Sequence, residues 1–76
     1  MNIQSILFRK ETYHTRATAE RWLRKHKYRA FFNPDPNPES KNWYRFRQKE
    51  PTAFKKDSFR IFKYNDSIHF VIGVLL

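Results

Sequence analysis

Two stretches of the chain alternate apolar and basic side chains in the manner of strands that have two different faces. In residues 43–48, one side of an extended strand carries Trp43, Arg45 and Arg47, and the other carries Tyr44, Phe46 and Gln48. In residues 58–64, Phe59 and Ile61 oppose Arg60, Phe62 and Tyr64. The pattern predicts two strands with one side on a core and the other showing guanidinium groups and aromatic rings.

Other segments carry the patterns of further strands, one helix and short turns. Residues 2–9 and 28–32 predict strands, and residues 51–56 predict a short turn or single helical turn that places Phe54 on the core. Residues 67–74 are apolar on both faces, which predicts a strand that is central or covered on both sides. Asn65 and Asp66 predict a two-residue hairpin turn, because both tolerate positive φ.

A helix is predicted from residue 16 to residue 26, with Thr15 as its N-cap. The i, i+3, i+4, i+7 spacing makes an apolar face of Ala19, Trp22, Leu23 and His26. Most of the remaining circumference is basic. We therefore expect the helix to lay its Trp22 stripe on the sheet and to expose the basic positions Arg16, Arg21, Arg24, Lys25 and Lys27.

These elements predict a single small α+β domain over residues 1–76, with one helix packed on an antiparallel sheet of four to five strands in the order β-α-β-β-β-β. Residues 33–41 contain prolines at alternate positions, which predicts an exposed loop. The pattern leaves the oligomeric state open, since the end of the last strand could also form an exposed edge.

The net charge of the chain indicates which kinds of partner it can attract. Sixteen Lys and Arg residues against seven Asp and Glu give a formal net charge of +9. Such a domain attracts phosphate backbones without any sequence-specific contact. A solvated basic surface and a packing contact inside a larger assembly remain the alternatives.

Several kinds of chemistry find no support in the sequence. There is no cysteine and only one glycine, Gly73, so neither a thiolate metal site nor a glycine-rich phosphate loop is expected. His14, His26 and His69 are scattered, and no two acids form a recognisable acid/base pair. We expect no enzymatic activity, no cofactor, no metal and no membrane span, and a location inside a cell or virion without secretion.

The predicted site is a platform on the open side of the sheet, where arginines contact phosphates and rings stack on bases. If the helix covers that side, the rings belong to the core and the arginines cap strand ends or pair with Glu50 and Asp57. The basic helix surface could also contact phosphate. The nucleic-acid-binding residues that we predict are Arg45, Arg47, Arg60, Trp43, Phe62 and Tyr64, with Arg24 and Lys25 extending the positive field.

The chain also resembles a small, largely uncharacterised domain that recurs in phage and large DNA virus proteins. The likeness runs through W-L-x-x-H at residues 22–26, Y-R-F-R-Q-x-x-P-x-x-F at residues 44–54, S-F-R at residues 58–60, and the hydrophobic last strand. It implies a phage or viral setting rather than a mechanism. The chain departs from the pattern at Asn65-Asp66 and at Lys27, where glycine is more usual.

Within that resemblance, the candidate signature residues are Arg45, Arg47, Gln48 and Arg60. A structural interpretation competes, in which Pro51 and Phe54 form a tight turn held by Gln48 and Ser58. Two functions follow: a nucleic-acid-binding domain, or a viral or phage structural or protein-interaction module without enzymatic activity. The same side chains would serve DNA and RNA.

Overall fold

The fold is known from a computed structural model, which describes residues 2–30 and 42–76. Its elements are strand β1 (Asn2–Arg9), helix α1 (Arg16–Lys25), strand β2 (Trp43–Arg47), a single 3-10 turn (Pro51–Ala53), strand β3 (Arg60–Lys63) and strand β4 (Ile68–Gly73). The four strands form one antiparallel sheet in the order β2-β1-β4-β3. The predicted α+β class, with one helix on a four-stranded antiparallel sheet, is confirmed.

Two sequence predictions fall wholly or partly outside the described residues. Of the strand predicted at residues 28–32, the described part, residues 28–30, is not in a strand, and residues 31 and 32 lie outside the description. The loop predicted at residues 33–41 also lies outside it. The prediction for the last strand is confirmed, because β4 lies between β1 and β3. The edges of the sheet are therefore β2 and β3.

The hydrophobic core lies between α1 and one face of the sheet. Ala19 and Leu23 of the helix are fully buried against a set of strand residues: Ile6, Phe8, Phe46, Ile68 and Phe70. The ring of Phe8 is central, with edge-on contacts to Tyr13, Trp22 and Phe46 at centroid distances of 5.1, 5.5 and 5.6 Å. The predicted apolar stripe is thus on the sheet, except that His26 is exposed and stacks on Trp22 at 3.9 Å.

Both ends of α1 are formed by local hydrogen bonds. The Thr15 hydroxyl accepts from the Thr18 backbone N–H, as expected of an N-cap. At the other end, Lys27 has φ 63°, its N–H donates to the Arg24 carbonyl, and the Tyr28 N–H donates to the Leu23 carbonyl. This bonding pattern is the Schellman motif, which usually has glycine at the left-handed position. Lys27 occupies that position in spite of its side chain.

The turn between β3 and β4 differs from the prediction. Among the described residues, positive φ occurs only at Lys27 and Asp57, so neither Asn65 nor Asp66 uses it. The Tyr64 N–H donates to the Ile68 carbonyl, and the Asn65 side-chain oxygen accepts from the N–H groups of Ser67 and Ile68, both at 2.8 Å. The turn is therefore longer than two residues. It is stabilised by hydrogen bonds to the Asn65 side chain and does not use a left-handed backbone conformation.

The connection from β2 to β3 packs over one end of the sheet. Phe54 is buried, as predicted, and bridges to Leu75. The Ser58 hydroxyl donates to the Lys55 carbonyl and accepts from the Val74 N–H, so Ser58 holds this turn. A Cβ at Gly73 would lie 2.8 Å from a Phe54 ring carbon, which is why the chain's single glycine stands here.

Candidate nucleic-acid interface

The side of the sheet away from α1 collects basic side chains. Directly paired residues share a face, and the pairing runs from Arg45 on β2 through Leu7 and His69 to Lys63 on β3. Arg9 pairs with Trp43 in the same way. We call this surface the open face, and define it by Arg9, Trp43, Arg45, Arg47, Lys63 and His69.

Half of the predicted platform lies on the open face. Trp43, Arg45 and Arg47 come together there, and all three are half-buried. Arg60, Phe62 and Tyr64 do not join them, which corrects the prediction. They belong to the helix side at the opposite edge: Arg60 pairs with Ile72, and Phe62 pairs with Phe70.

The alternation in β3 was misleading because the whole strand is exposed. Both faces of this edge strand are exposed, so its alternation does not reveal which side faces the core. The Tyr64 ring contacts Trp22 of the helix at 5.7 Å, while Ile61, which we expected in the core, is on the open side and 57% exposed.

Arg24 and Lys25 also lie away from the open face. Both are exposed in the last turn of α1, which packs on the other side of the sheet. In that position their charges stabilise the negative end of the helix dipole. The predicted extension of the positive field from these two residues therefore does not reach the Trp43 surface.

Three open-face residues were missed in the sequence: Arg9, Lys63 and His69. Alternation in β1 from the core residues Ile6 and Phe8 would have placed Arg9 on the opposite side. Alternation from the core residues Ile68 and Phe70 would likewise have placed His69 there, whereas Lys63 joins the surface only through the pairing of β3 with β4.

Trp43 is the centre of a cation–aromatic cluster on this face. The guanidinium carbon of Arg9 lies 4.8 Å from the centroid of the Trp43 ring, within the range of a cation–π contact. The His69 ring lies 4.6 Å from the Trp43 ring, tilted by 35°. Arg9 is held in place by a hydrogen bond from its Nε to the Asp66 carbonyl at 3.0 Å. The cluster therefore presents a fixed aromatic ring beside a fixed positive charge.

Arg45 is positioned by a buried glutamine. Its Nη2 donates to Gln4 Oε1 at 3.0 Å, and the same oxygen accepts from the Ser5 hydroxyl at 2.7 Å. Gln4 is buried at an irregularity in β1, where the pairing with β4 shifts between Ile3 and Ser5. Because Gln4 is neutral, Arg45 gains a fixed orientation and keeps its full positive charge.

Ion pairs neutralise little of the open face. Arg47 pairs with Glu50 at 3.2 Å, which partly satisfies that guanidinium. Within residues 2–30 and 42–76, no carboxylate forms an ion pair with Arg9, Arg45 or Lys63. These three side chains are therefore the best placed to meet an external anion.

A cleft of about 280 Å³ lies beside the cluster and is lined by Arg9, Lys10, Glu11, Asn42 and Trp43. The Lys10 ammonium nitrogen lies 4.8 Å from the centroid of the Tyr44 ring, and Tyr44 pairs with Phe8 on the helix side of the sheet. The charge of Lys10 is therefore directed towards the helix side, at the border of the cleft.

The surroundings of His69 disfavour its protonated form. Burial, and then the charges of Lys63 and Arg9, hold the pKa of His69 below its ordinary value, while Asp66 acts weakly in the opposite direction. As pH falls through the ordinary imidazole pKa, His69 therefore takes up a proton more readily in the unfolded chain than in the folded chain. We expect this residue to lower the free energy of unfolding as pH falls through that pKa.

NMR titration of the His69 ring protons checks this prediction directly. The midpoint should lie below that of an unstructured histidine peptide, and Lys63→Gln should move it upward. A midpoint at the ordinary value, unmoved in Lys63→Gln, would contradict the described surroundings.

Neither a metal-binding cluster nor a membrane-spanning helix is present in the part of the chain that the structure describes. No group of three or more His, Cys, Asp or Glu side chains there is arranged to hold a metal ion. Within the same residues, no helix is both long and apolar enough to cross a membrane. Gln48, a candidate signature residue, is engaged with the backbone of Arg29 through hydrogen bonds in both directions, which is a structural role.

Comparison with known proteins adds no relative. A scan against protein-family models, a search of curated proteins and a search of solved structures each gave no match.

Proposed function

We propose that this protein binds nucleic acid through phosphate contacts at the open face. The observation that carries the proposal is that Arg9, Arg45 and Lys63 lie on the same face of the sheet as Trp43, with Arg9 over its ring, and form no ion pair to any described carboxylate. Guanidinium and ammonium groups neutralise phosphates, and an aromatic ring offers a stacking surface to an unpaired base. The net charge of +9 supplies the long-range attraction.

Preorganisation supports the same function. Arg9 is fixed by the Asp66 carbonyl and Arg45 by Gln4, so neither side chain loses much rotamer freedom when it meets a phosphate. Such contacts do not distinguish sequences, because phosphates carry no base information. The proposed activity is therefore binding with strong salt dependence and weak sequence preference.

The test compares two double variants that remove the same charge from opposite sides of the sheet. Arg45→Gln/Lys63→Gln changes the open face, and Arg24→Gln/Lys25→Gln changes the helix surface. Fluorescence anisotropy of labelled single-stranded DNA, single-stranded RNA and duplex DNA, titrated over several salt concentrations, gives the affinity and its salt slope for each.

We expect the slope of log affinity against log salt for single strands to become shallower by about 1.4 in the open-face variant, since about 0.7 is lost per phosphate contact. The helix variant should retain the original slope. Equal losses in both variants would mean diffuse attraction to the whole domain, and a slope near zero in the unmodified protein would exclude phosphate binding altogether.

A second candidate is the structural or protein-interaction module suggested by the likeness to phage and viral domains. One observation favours it: Ile61 and Phe62 of β3, and Tyr64 directly after it, are more than half exposed. This module would use the β3 edge, which shares Lys63 with the open face but adds the exposed apolar side chains.

A further inference from the structure

The outer edge of β3 is more apolar than a solvent-exposed strand needs to be. Ile61, Phe62 and Tyr64 are 57%, 52% and 51% exposed, and they follow one another along a single short segment. Phe62 and Tyr64 rest on the core ring of Phe70, at centroid distances of 6.2 and 5.4 Å. The edge therefore presents the rings of Phe62 and Tyr64 on the helix side of the sheet and the side chain of Ile61 on the other side.

The backbone of β3 also has hydrogen-bonding groups that its own sheet does not use. The Tyr64 N–H donates to the Ile68 carbonyl of the neighbouring strand. Because backbone groups of alternate residues point the same way in an antiparallel pair, Phe62 and Arg60 also face β4. Ile61 and Lys63 therefore direct their N–H and C=O groups outward, where no described strand lies.

We infer that the outer edge of β3 binds an extended acidic peptide as an additional strand. The outward backbone groups of Ile61 and Lys63 specify an extended partner, which is the mode known as β-augmentation. The charge specifies its chemistry: Arg60 and Lys63 stand at the two ends of β3 in a domain of net charge +9. Apolar side chains at alternate positions of the peptide would cover Phe62 and Tyr64, and carboxylates would face Lys63.

A second copy of this chain fits the edge less well. Each copy carries +9, so two copies repel one another. A strand of four residues also covers little surface, compared with the roughly 800 Å² per partner that stable protein interfaces bury. A flexible acidic peptide avoids the repulsion and needs only the edge itself.

The test uses a fluorescent, end-blocked peptide in which valine and glutamate alternate. The decisive variant is Ile61→Pro, which removes the outward N–H but no hydrogen bond to β4, and leaves the net charge unchanged. We expect it to weaken peptide binding by about tenfold or more, as loss of a backbone hydrogen bond with some strain predicts. Ile61→Val keeps the N–H and should bind as the unmodified protein does.

Two further measurements keep the result interpretable. Circular dichroism and nucleic-acid binding of Ile61→Pro should be unchanged, which separates this inference from the proposed function of the open face. The same peptide with N-methyl groups at every second residue should bind weakly to the unmodified protein, whatever Ile61→Pro does to folding.

Three outcomes would overturn the inference. If the peptide does not bind, an acidic peptide is not the partner of the β3 edge. If Ile61→Pro and the N-methylated peptide both bind normally, the attraction is general electrostatics and no strand is added. If sedimentation shows that the chain self-associates and that Ile61→Pro is monomeric, while the peptide does not bind, the edge belongs to a second copy.

Discussion

Replacing Phe8 with alanine is expected to lower the free energy of unfolding by about 3–5 kcal/mol. Phe8 is fully buried and makes edge-on contacts with three other rings, so the truncation loses both the transfer of a large side chain and its packing. The total stability of small domains is about 5–15 kcal/mol. The variant should therefore show a large fall in its urea midpoint, or be partly unfolded without denaturant.

The matched control is Phe62→Ala, the same truncation at a ring that is 52% exposed. It should cost well under half as much as Phe8→Ala. Urea unfolding followed by tryptophan fluorescence measures both, since Trp22 contacts Phe8 directly. Similar losses for the two variants would contradict the placement of α1 on the Phe8 face of the sheet.

The second large effect is expected at Gln48, where Gln48→Glu should cost about 1–3 kcal/mol at neutral pH. The Gln48 amide accepts from the Arg29 N–H at 2.9 Å and donates to the Arg29 carbonyl at 2.8 Å. A carboxylate at position 48 can still accept from the Arg29 N–H. Its second oxygen, however, would face the Arg29 carbonyl, so two acceptors would meet without a donor between them. The side chain is 9% exposed, so water cannot easily restore the lost donor.

The pH dependence of this variant separates its cause from a packing defect. A protonated glutamic acid can donate to the Arg29 carbonyl, so the folded state should raise the carboxyl pKa of the new residue. The deficit relative to the unmodified protein should then shrink as pH falls through that raised pKa. Gln48→Ala lacks a titrating group, and its deficit should stay constant; parallel behaviour of the two variants would refute the hydrogen-bond account.

Local structure was largely predictable from the sequence. The branched and aromatic residues of positions 2–9 and the Thr15 cap predicted the first strand and the start of α1, because strand propensity and capping depend only on neighbouring residues. Phe54 was correctly expected to be buried for the same reason: an apolar ring follows a proline turn. Ser58 was also correctly expected to hold that turn.

The candidate site was only half predictable, because it depends on which strands become neighbours. Arg60 and Arg45 both alternate with apolar residues, yet they lie at opposite edges and on opposite sides of the sheet. Lys63 reaches the open face only through its pairing with His69. The order of strands is set by packing over the whole domain, and no local pattern encodes it.

The strand order also bears on how the domain acquires its structure. The centre of the sheet is the pairing of β1 with β4, the first and last of its strands, with Phe8 opposite Ile68. Contacts between such distant parts of a chain require a large loop to close before they stabilise anything, which slows folding. During synthesis, the pairing of β1 with β4 must therefore wait until β4 has left the ribosome, and the edge of β1 that β4 covers stays unpaired until then.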